Sequence, residues 1–394
     1  METTKSPSRI LAVLSDEGFV ANPYPGYGML TSEAPLFWST PTDLLVSSHQ
    51  LCREVLTDAV AFGQHHGPYP SFAKMNPPEH TRLRRLVSRV FTPRAIESYK
   101  HRISYFVDQL LDDLVSRGEM NLIADFAQPL PTLVITDMLG VPYEDGVLWE
   151  KWANAIHTHA TVPMFLGLSR SADLHKVAGA AAEEEREYFR EIVARRRLER
   201  SDDIISLLVA AEEDGDHLTE DELLYTLVLL LGAGHHTSVN LIGNGMHALL
   251  SDPQQVEALR ADPTMLDNAI EEMLRIDPPL QAEPRIARAD ATIGGVSVPE
   301  GTTVHCLLAA ANRDPAVFDR PNTFDIHRPN AKQHLSFSVG IHHCLGAPLA
   351  RAEGTIAIGE MLRRMPGLRA TGIGQQDGLY RLRGLASLPV AWSA

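Results

Sequence analysis

Residues 337–346 read FSVGIHHCLG, which places Phe337, Gly340, His342, Cys344 and Gly346 at fixed intervals with His343 beside the cysteine. A cysteine in such company can hold a metal, attack a substrate or fill a core. Zinc needs three or four ligands, and His342 and His343 cannot close a tetrahedral site alone, with no second cysteine nearby. A nucleophile needs a base and an oxyanion hole, and the flanking glycines do not form a nucleophile elbow. A core cysteine needs neither, but Gly340 and Gly346 permit turns and close approaches that a side chain would block, as a bulky planar ligand requires. The run APLARAEGTIAIGEMLRRM after Gly346 is strongly helical, so Cys344 stands just before a helix N-terminus, where peptide dipoles favour thiolate over thiol.

The rest of the chain bounds what this loop can belong to. With 394 residues, 44% hydrophobic and 22% charged, the chain can bury a large core. No Gly/Ser linker, low-complexity tract or repeat divides it, so one domain over 1–394 is expected. The first 30 residues carry only the short apolar run Ile10–Leu14, neither a leader nor an anchor. Cys52, Cys306 and Cys344 are too few and scattered for a disulfide framework, which suits a reducing cytoplasm. A net charge of −15 leaves no basic excess for nucleic acid.

Most of the chain from about 80 to 275 shows helical spacing. TEDELLYTLVLLLGAGHHTSVNLIGNGMHALL opens on a capped acidic turn at Thr219, Glu220, Asp221 and Glu222. Its apolar run, Leu223 to Gly234, falls short of the ~20 residues of a membrane span and is broken by His235 and His236. A long buried helix is expected instead. Strand-like stretches lie at the margins: PLFWST, ATIGGVSVPEGTTVHCLL and LRGLASLPVAW. The class is mainly α, a large helical region with a smaller β-rich one.

Phe337, Gly340, His342, Cys344 and Gly346 match the signature F-x-x-G-x-H-x-C-x-G, and in length and motif order the chain resembles the soluble bacterial cytochromes P450, the haem-thiolate monooxygenases. The resemblance implies haem b (iron protoporphyrin IX) between the long central helix and the cysteine loop, with Cys344 as the proximal iron ligand. Three further stretches agree with it. In EEMLRIDPP, Glu272 and Arg275 resemble the family's E-x-x-R pair, and FDIHR supplies Arg328 as the implied third member of a structural brace. Taken alone, an i,i+3 pair is equally an ordinary surface ion pair worth ~0.2–0.5 kcal/mol.

MNPPEHTRLRRLVSRVFTPR resembles the helix beside the haem propionates. At ~100° per residue, His80 and Arg84 share one edge of its apolar stripe, and Arg82, Arg85 and Arg89 cluster roughly 150° away. By resemblance His80 and Arg84 bind propionate together with His342 and with Arg285 of EPRIARAD, the arginine fork matching a carboxylate. The outer three arginines are either a docking face for an electron donor or a solvated face.

GAGHHTSVN lies in the long helix. Glycines there cost ~1 kcal/mol each relative to Ala, so Gly232 and Gly234 suggest that something flat passes close. The resemblance sets Ala233 and Gly234 against the haem. Thr237 can bond back to the carbonyl of Ala233 and loosen the helix, opening a niche for dioxygen. Members of the family usually carry A-G-x-[DE]-T here, and His236 occupies the acid position. Thr237 and His236 are the expected catalytic residues, with histidine also able to relay protons. His235 is read as a satisfied structural histidine, and His343 as a free position of the cysteine motif.

The implied activity is reductive activation of dioxygen, with two electrons from ferredoxin and ferredoxin reductase or a flavodoxin-type donor. It hydroxylates or epoxidises a medium-sized, largely apolar molecule, by analogy in secondary metabolism. A peroxide-driven or oxidative-coupling variant and a non-catalytic haem sensor are the alternatives. The expected pocket walls are AFGQHHGPYPSFAK, THATVPMFLGLSRSADL, Leu230 and Ala233, PLQAEP and the turn near Ala386.

Overall fold

The computed structural model describes residues 7–16, 18–64, 71–157, 172–213 and 218–393. Its axis is the 31-residue helix Glu220–Leu250, roughly 46 Å long at 1.5 Å rise per residue. The helix starts at a reciprocal cap: Thr219 Oγ1 accepts the Glu222 N–H at 3.2 Å, and the Glu222 carboxylate accepts the Thr219 N–H at 2.8 Å. The helices Pro129–Leu139, Ala172–Leu198, Pro253–Ala261, Leu266–Ile276 and Ala347–Arg364 pack around it. A helix covered on several sides needs apolar residues on several faces. Leu223, Leu224, Leu227, Leu231, Leu241, Ile242, Met246 and Leu249 are accordingly buried. No described helix is long and apolar enough to cross a membrane.

The helix Pro93–Leu114 begins at Thr92, whose hydroxyl accepts the Ala95 N–H, with Pro93 at the first helical position where its missing N–H costs nothing. It lies along Ala347–Arg364, the helix that follows the cysteine loop. The main hydrophobic core joins these helices to the central one.

The β-rich part is small. Its largest sheet has the strand order Leu36–Trp38, Asp43–Val46, Thr303–Cys306, Glu283–Ala287, Phe62–Gly63. Asp43–Val46 runs parallel to Thr303–Cys306, with Val46 opposite Cys306, and the other pairs are antiparallel. Leu44, Val46, Val304 and Cys306 form a second core with Cys52 and Leu56 of the helix His49–Thr57. The two other cysteines are thus the core residues that Cys344 is not. Strands Ala291–Ile293, Val296–Val298, Leu385–Ser387 and Pro389–Ala391 fall within the marginal stretches named above.

Candidate functional site

The cysteine loop turns at Ser338 (φ 57°) and Gly340 (φ 75°). A Cβ at position 340 would also meet the Leu56 carbonyl oxygen at 2.5 Å, so glycine is needed there both for the left-handed backbone and for docking on the end of the His49–Thr57 helix. Gly346 differs. Its φ of −80° and ψ of 3° are open to other residues, and an added Cβ would lie 4.0 Å from Cys344 Sγ, an ordinary contact. The fold itself thus requires glycine at 340, whereas the contacts within the protein set no such requirement at 346.

The Cys344 N–H donates to the Phe337 carbonyl at 2.8 Å, closing the loop. Cys344 is exposed, whereas Cys52 and Cys306 are buried. Its sulfur is reachable yet surrounded by protein, and the resulting desolvation pushes the thiol above its ordinary range. The amides of Gly346 and Ala347 and the charges of Arg84 and Arg351 act the other way. The expected pull of the helix N-terminus is present and is smaller than the cost of burial.

Beside the loop, His80 and His342 face each other with ring centroids 4.2 Å apart. His80 is buried, and neither of its ring nitrogens has a hydrogen-bond partner. Arg285, on the strand Glu283–Ala287, donates from Nη1 to Glu283 at 3.0 Å and to the Pro284 carbonyl, while its Nη2 is buried without a partner. Arg84 donates to the carbonyl of His343. Burial and the Arg84 charge lower His80 to about 4, and burial with Arg285 and His80 lowers His342 to about 3.

Each buried donor left without an acceptor costs ~1–3 kcal/mol, and two guanidinium and two imidazole groups gathered together call for an anion that only accepts. Carboxylates meet that requirement. The four predicted residues thus fit the propionate edge of a haem.

On the central helix, Thr237 Oγ1 donates to the Ala233 carbonyl at 2.7 Å, as its position predicts. Ala233 is exposed although the helix is mostly buried around it. A Cβ at Gly234 would lie 3.1 Å from Ile135 Cδ1, so this glycine admits the helix Pro129–Leu139, and no described protein atom lies within 4 Å of a Cβ at Gly232.

His236 Nδ1 lies 3.3 Å from His235 Nδ1. Burial lowers His236 to about 4, and burial with the His236 charge lowers His235 to about 3, so both rings are neutral at pH 7. His235 is buried, with its Nδ1 toward His236 and the Gln128 backbone bonding its ring, as a structural histidine would be.

Sequence reasoning missed Glu353, on the helix Ala347–Arg364. It is buried, one of its carboxyl oxygens has no hydrogen-bond partner, and it meets the hydroxyl of Ser238, next to Thr237. Its signal was an acid among the small and apolar residues Ala352, Gly354, Ala357 and Ile358. Burial raises it from 4.5 to about 8, against the bond from Ser238. Its folded pKa lies above its unfolded one, so its contribution to stability is full below about 4.5 and is lost as pH rises through about 8. Glu353→Gln is therefore expected to melt near the wild type at pH 5 and a few degrees above it at pH 9. An equal melting difference at both pH values would remove Glu353 as a buried proton holder.

The E-x-x-R pair is not on the surface. Glu272 and Arg275 are both 0% exposed in their side chains and Arg328 is 4% exposed. Arg275 meets both carboxylate oxygens at 2.6 and 2.8 Å, and Arg328 Nε meets them at 3.0 and 3.1 Å. The remaining guanidinium donors hold the carbonyls of Asn312, Pro321, Thr323, Asp319 and Arg320. The triad pins the segment that leads into the cysteine loop.

In the outer arginine trio, Arg82 is paired with Glu222 of the central helix cap, whereas Arg85 and Arg89 are exposed. Of the expected pocket walls, residues 65–70 and 158–171 lie outside the described residues. Leu230, Gln281 and Ala282 are buried.

A presented thiol, a receptor for carboxylates and a long central helix on which the Thr237 hydroxyl bonds back to Ala233 together point to the haem-thiolate class. The cytochrome P450 family profile matches residues 44–365. The chain is 38% identical to the cytochrome P450 monooxygenase PikC of Streptomyces venezuelae, over 99% of this chain and 96% of that one. It is 36% identical to the vitamin D(3) 25-hydroxylase of Pseudonocardia autotrophica, over 94% of each. The crystal structure of CYP164A2 from Mycobacterium smegmatis superposes with a TM-score of 0.90 at 40% identity, covering 98% of this chain and 100% of that one. The chain belongs to the cytochrome P450 family and is a monooxygenase of the bacterial type, in a family that uses haem.

Proposed function

We propose that this protein binds haem b through Cys344 and oxygenates a medium-sized, largely apolar small molecule of secondary metabolism. The observation that carries the proposal is the pairing of a reachable Cys344 with the anion receptor of His80, Arg84, Arg285 and His342. One relative, a vitamin D(3) 25-hydroxylase, and one structural neighbour, CYP109E1 from Bacillus megaterium in complex with testosterone, support an apolar substrate class. When bound, the haem supplies the redox chemistry that divides dioxygen between product and water, with electrons from a ferredoxin or flavodoxin-type donor.

The chain's own residues do the rest. Cys344 Sγ offers the iron ligand, and the amides of Gly346 and Ala347 stabilise its ionised form. The His80, Arg84, Arg285 and His342 cluster fixes the orientation of the acid edge. The Thr237 hydroxyl, held on the Ala233 carbonyl, keeps its lone pairs free to accept a hydrogen bond from the oxygen side. His236, neutral at pH 7, can take a proton at one ring nitrogen and release one from the other, which is what the family's acid does at that position.

His236→Ala is expected to lower the fraction of reductant recovered as product by about a hundredfold, the lower end of a typical acid–base contribution, while binding of haem and substrate is unchanged. Unaltered coupling would assign proton delivery to Thr237 and water. Product formation with ferredoxin, its reductase and NADPH, set against product formation with peroxide, tests the monooxygenase proposal itself. Turnover with peroxide alone would replace it by the peroxide-driven variant, and no turnover with any redox source would favour the haem sensor.

A further inference from the structure

Resting on Cys344 as the iron ligand, we propose that Arg351 is a positioning residue of the iron centre whose cation, held against Phe337 by Glu271, raises the reduction potential of the bound haem.

Arg351 lies in the second turn of the helix that follows the cysteine loop. Its guanidinium carbon sits 4.6 Å from the centroid of the Phe337 ring, within cation–π range. Phe337 is tied to the ligand residue, since its carbonyl accepts the Cys344 N–H at 2.8 Å. The guanidinium is not free to wander. Nε and Nη2 meet the two oxygens of Glu271 at 2.6 and 3.1 Å, a two-bond grip that fixes its plane.

Glu271 is fixed in turn by His334, whose Nε2 lies 2.9 Å from Oε2. The Ser336 N–H donates to His334 Nδ1 at 3.1 Å, so a neutral His334 carries its proton on Nε2 and donates it to Glu271. Burial alone would raise the Glu271 carboxyl, and the bonds from His334 and Arg351 outweigh it and bring the group to about 2. The carboxylate is therefore ionised whenever the protein is folded near neutral pH. The side chains of Glu271 and His334 are 5% and 2% exposed, against 36% for Arg351.

Two successive acids on one helix thus serve two sides of the loop. Glu272 turns to Arg275 and Arg328, and Glu271 turns to Arg351 and His334. A chain of four side chains, from His334 through Glu271 and Arg351 to Phe337, ends at the residue bonded to Cys344. For the bound iron, a nearby cation favours the state carrying one more electron. The same cation stabilises negative charge on the sulfur, which weakens its donation to the metal. Both effects raise the potential. The exposure of Arg351 screens its charge and keeps the effect modest.

The test is a mediated spectroelectrochemical titration of the haem-loaded protein, which needs no redox partner and so does not respond to docking. For Arg351→Gln the equilibrium constant for reduction is expected to fall about threefold to tenfold, tenfold being about 59 mV for a one-electron couple. Arg351→Lys is expected to recover most of that loss, because the charge is retained. An unchanged potential in Arg351→Gln overturns the proposal, and so does an equal fall in both variants, which would show loss of packing alone. The spectrum of reduced wild-type protein with carbon monoxide separates this from the ligand assignment. A thiolate-type band with an unmoved potential rejects only Arg351, whereas an imidazole-type band rejects Cys344 as ligand.

Discussion

Replacing Glu272 with alanine is expected to prevent recovery of folded, haem-loaded protein. The substitution leaves two guanidinium groups, 0% and 4% exposed, without their shared carboxylate, and it removes the acceptor of the Asp325 N–H at 2.9 Å. Breaking a buried ion pair by removing one partner costs ~3–5 kcal/mol, because the charge left behind has neither water nor counterion. Against a typical folding stability of about 5–15 kcal/mol, that is a large fraction.

Arg275→Lys is expected to be nearly as severe, since a lysine cannot grip both carboxylate oxygens and also reach the carbonyls of Asn312, Pro321 and Thr323. The measurement is the denaturant midpoint of each variant with the haem absorbance per polypeptide. A Glu272→Ala protein within about 1 kcal/mol of wild type, a loss ordinary for any substitution, would show that the triad does not brace the loop.

The second large effect is chemical. Cys344→Ser is expected to fold, because the side chain is exposed and the backbone bond from position 344 to Phe337 does not involve the sulfur. What disappears is the ligand: a serine hydroxyl stays protonated where a thiol ionises, and it does not push electron density onto iron as thiolate does. Reduced Cys344→Ser protein under carbon monoxide is expected to lose the thiolate-type Soret band, and turnover with ferredoxin and reductase is expected to fall to the level of free haem. Retention of the wild-type band by a fully pigmented serine variant would move the ligand elsewhere in the chain.

How much of this was legible in advance depends on how local each feature is. The cysteine loop was readable because a turn that presents one side chain is written in consecutive residues, although the contact of Gly340 with the Leu56 carbonyl was not. The central helix was readable for the same reason, from its cap and its apolar run. The approach of Ile135 to Gly234 was not legible, since a missing side chain does not say which surface comes close. Arg82 looked free on a helical wheel, and the wheel contains no information about Glu222 on another helix. Glu353 was passed over because an acid in a helix is ordinarily solvated. Its burial depends on the central helix lying across it.

By itself the sequence determined that a helical chain presents Cys344 ahead of a helix and carries Thr237 and His236 on a buried one, since these follow from spacing and periodicity along a single backbone. Only the tertiary structure decided that Glu272, Arg275 and Arg328 form a buried triad, that the unpartnered His80 ring and Arg285 Nη2 come together beside His342, and that Arg351 lies on Phe337. The physical reason is that the worth of a charge depends on the water it has lost. That loss is set by residues remote in the chain, as Glu272 and Arg328 are at 56 positions apart.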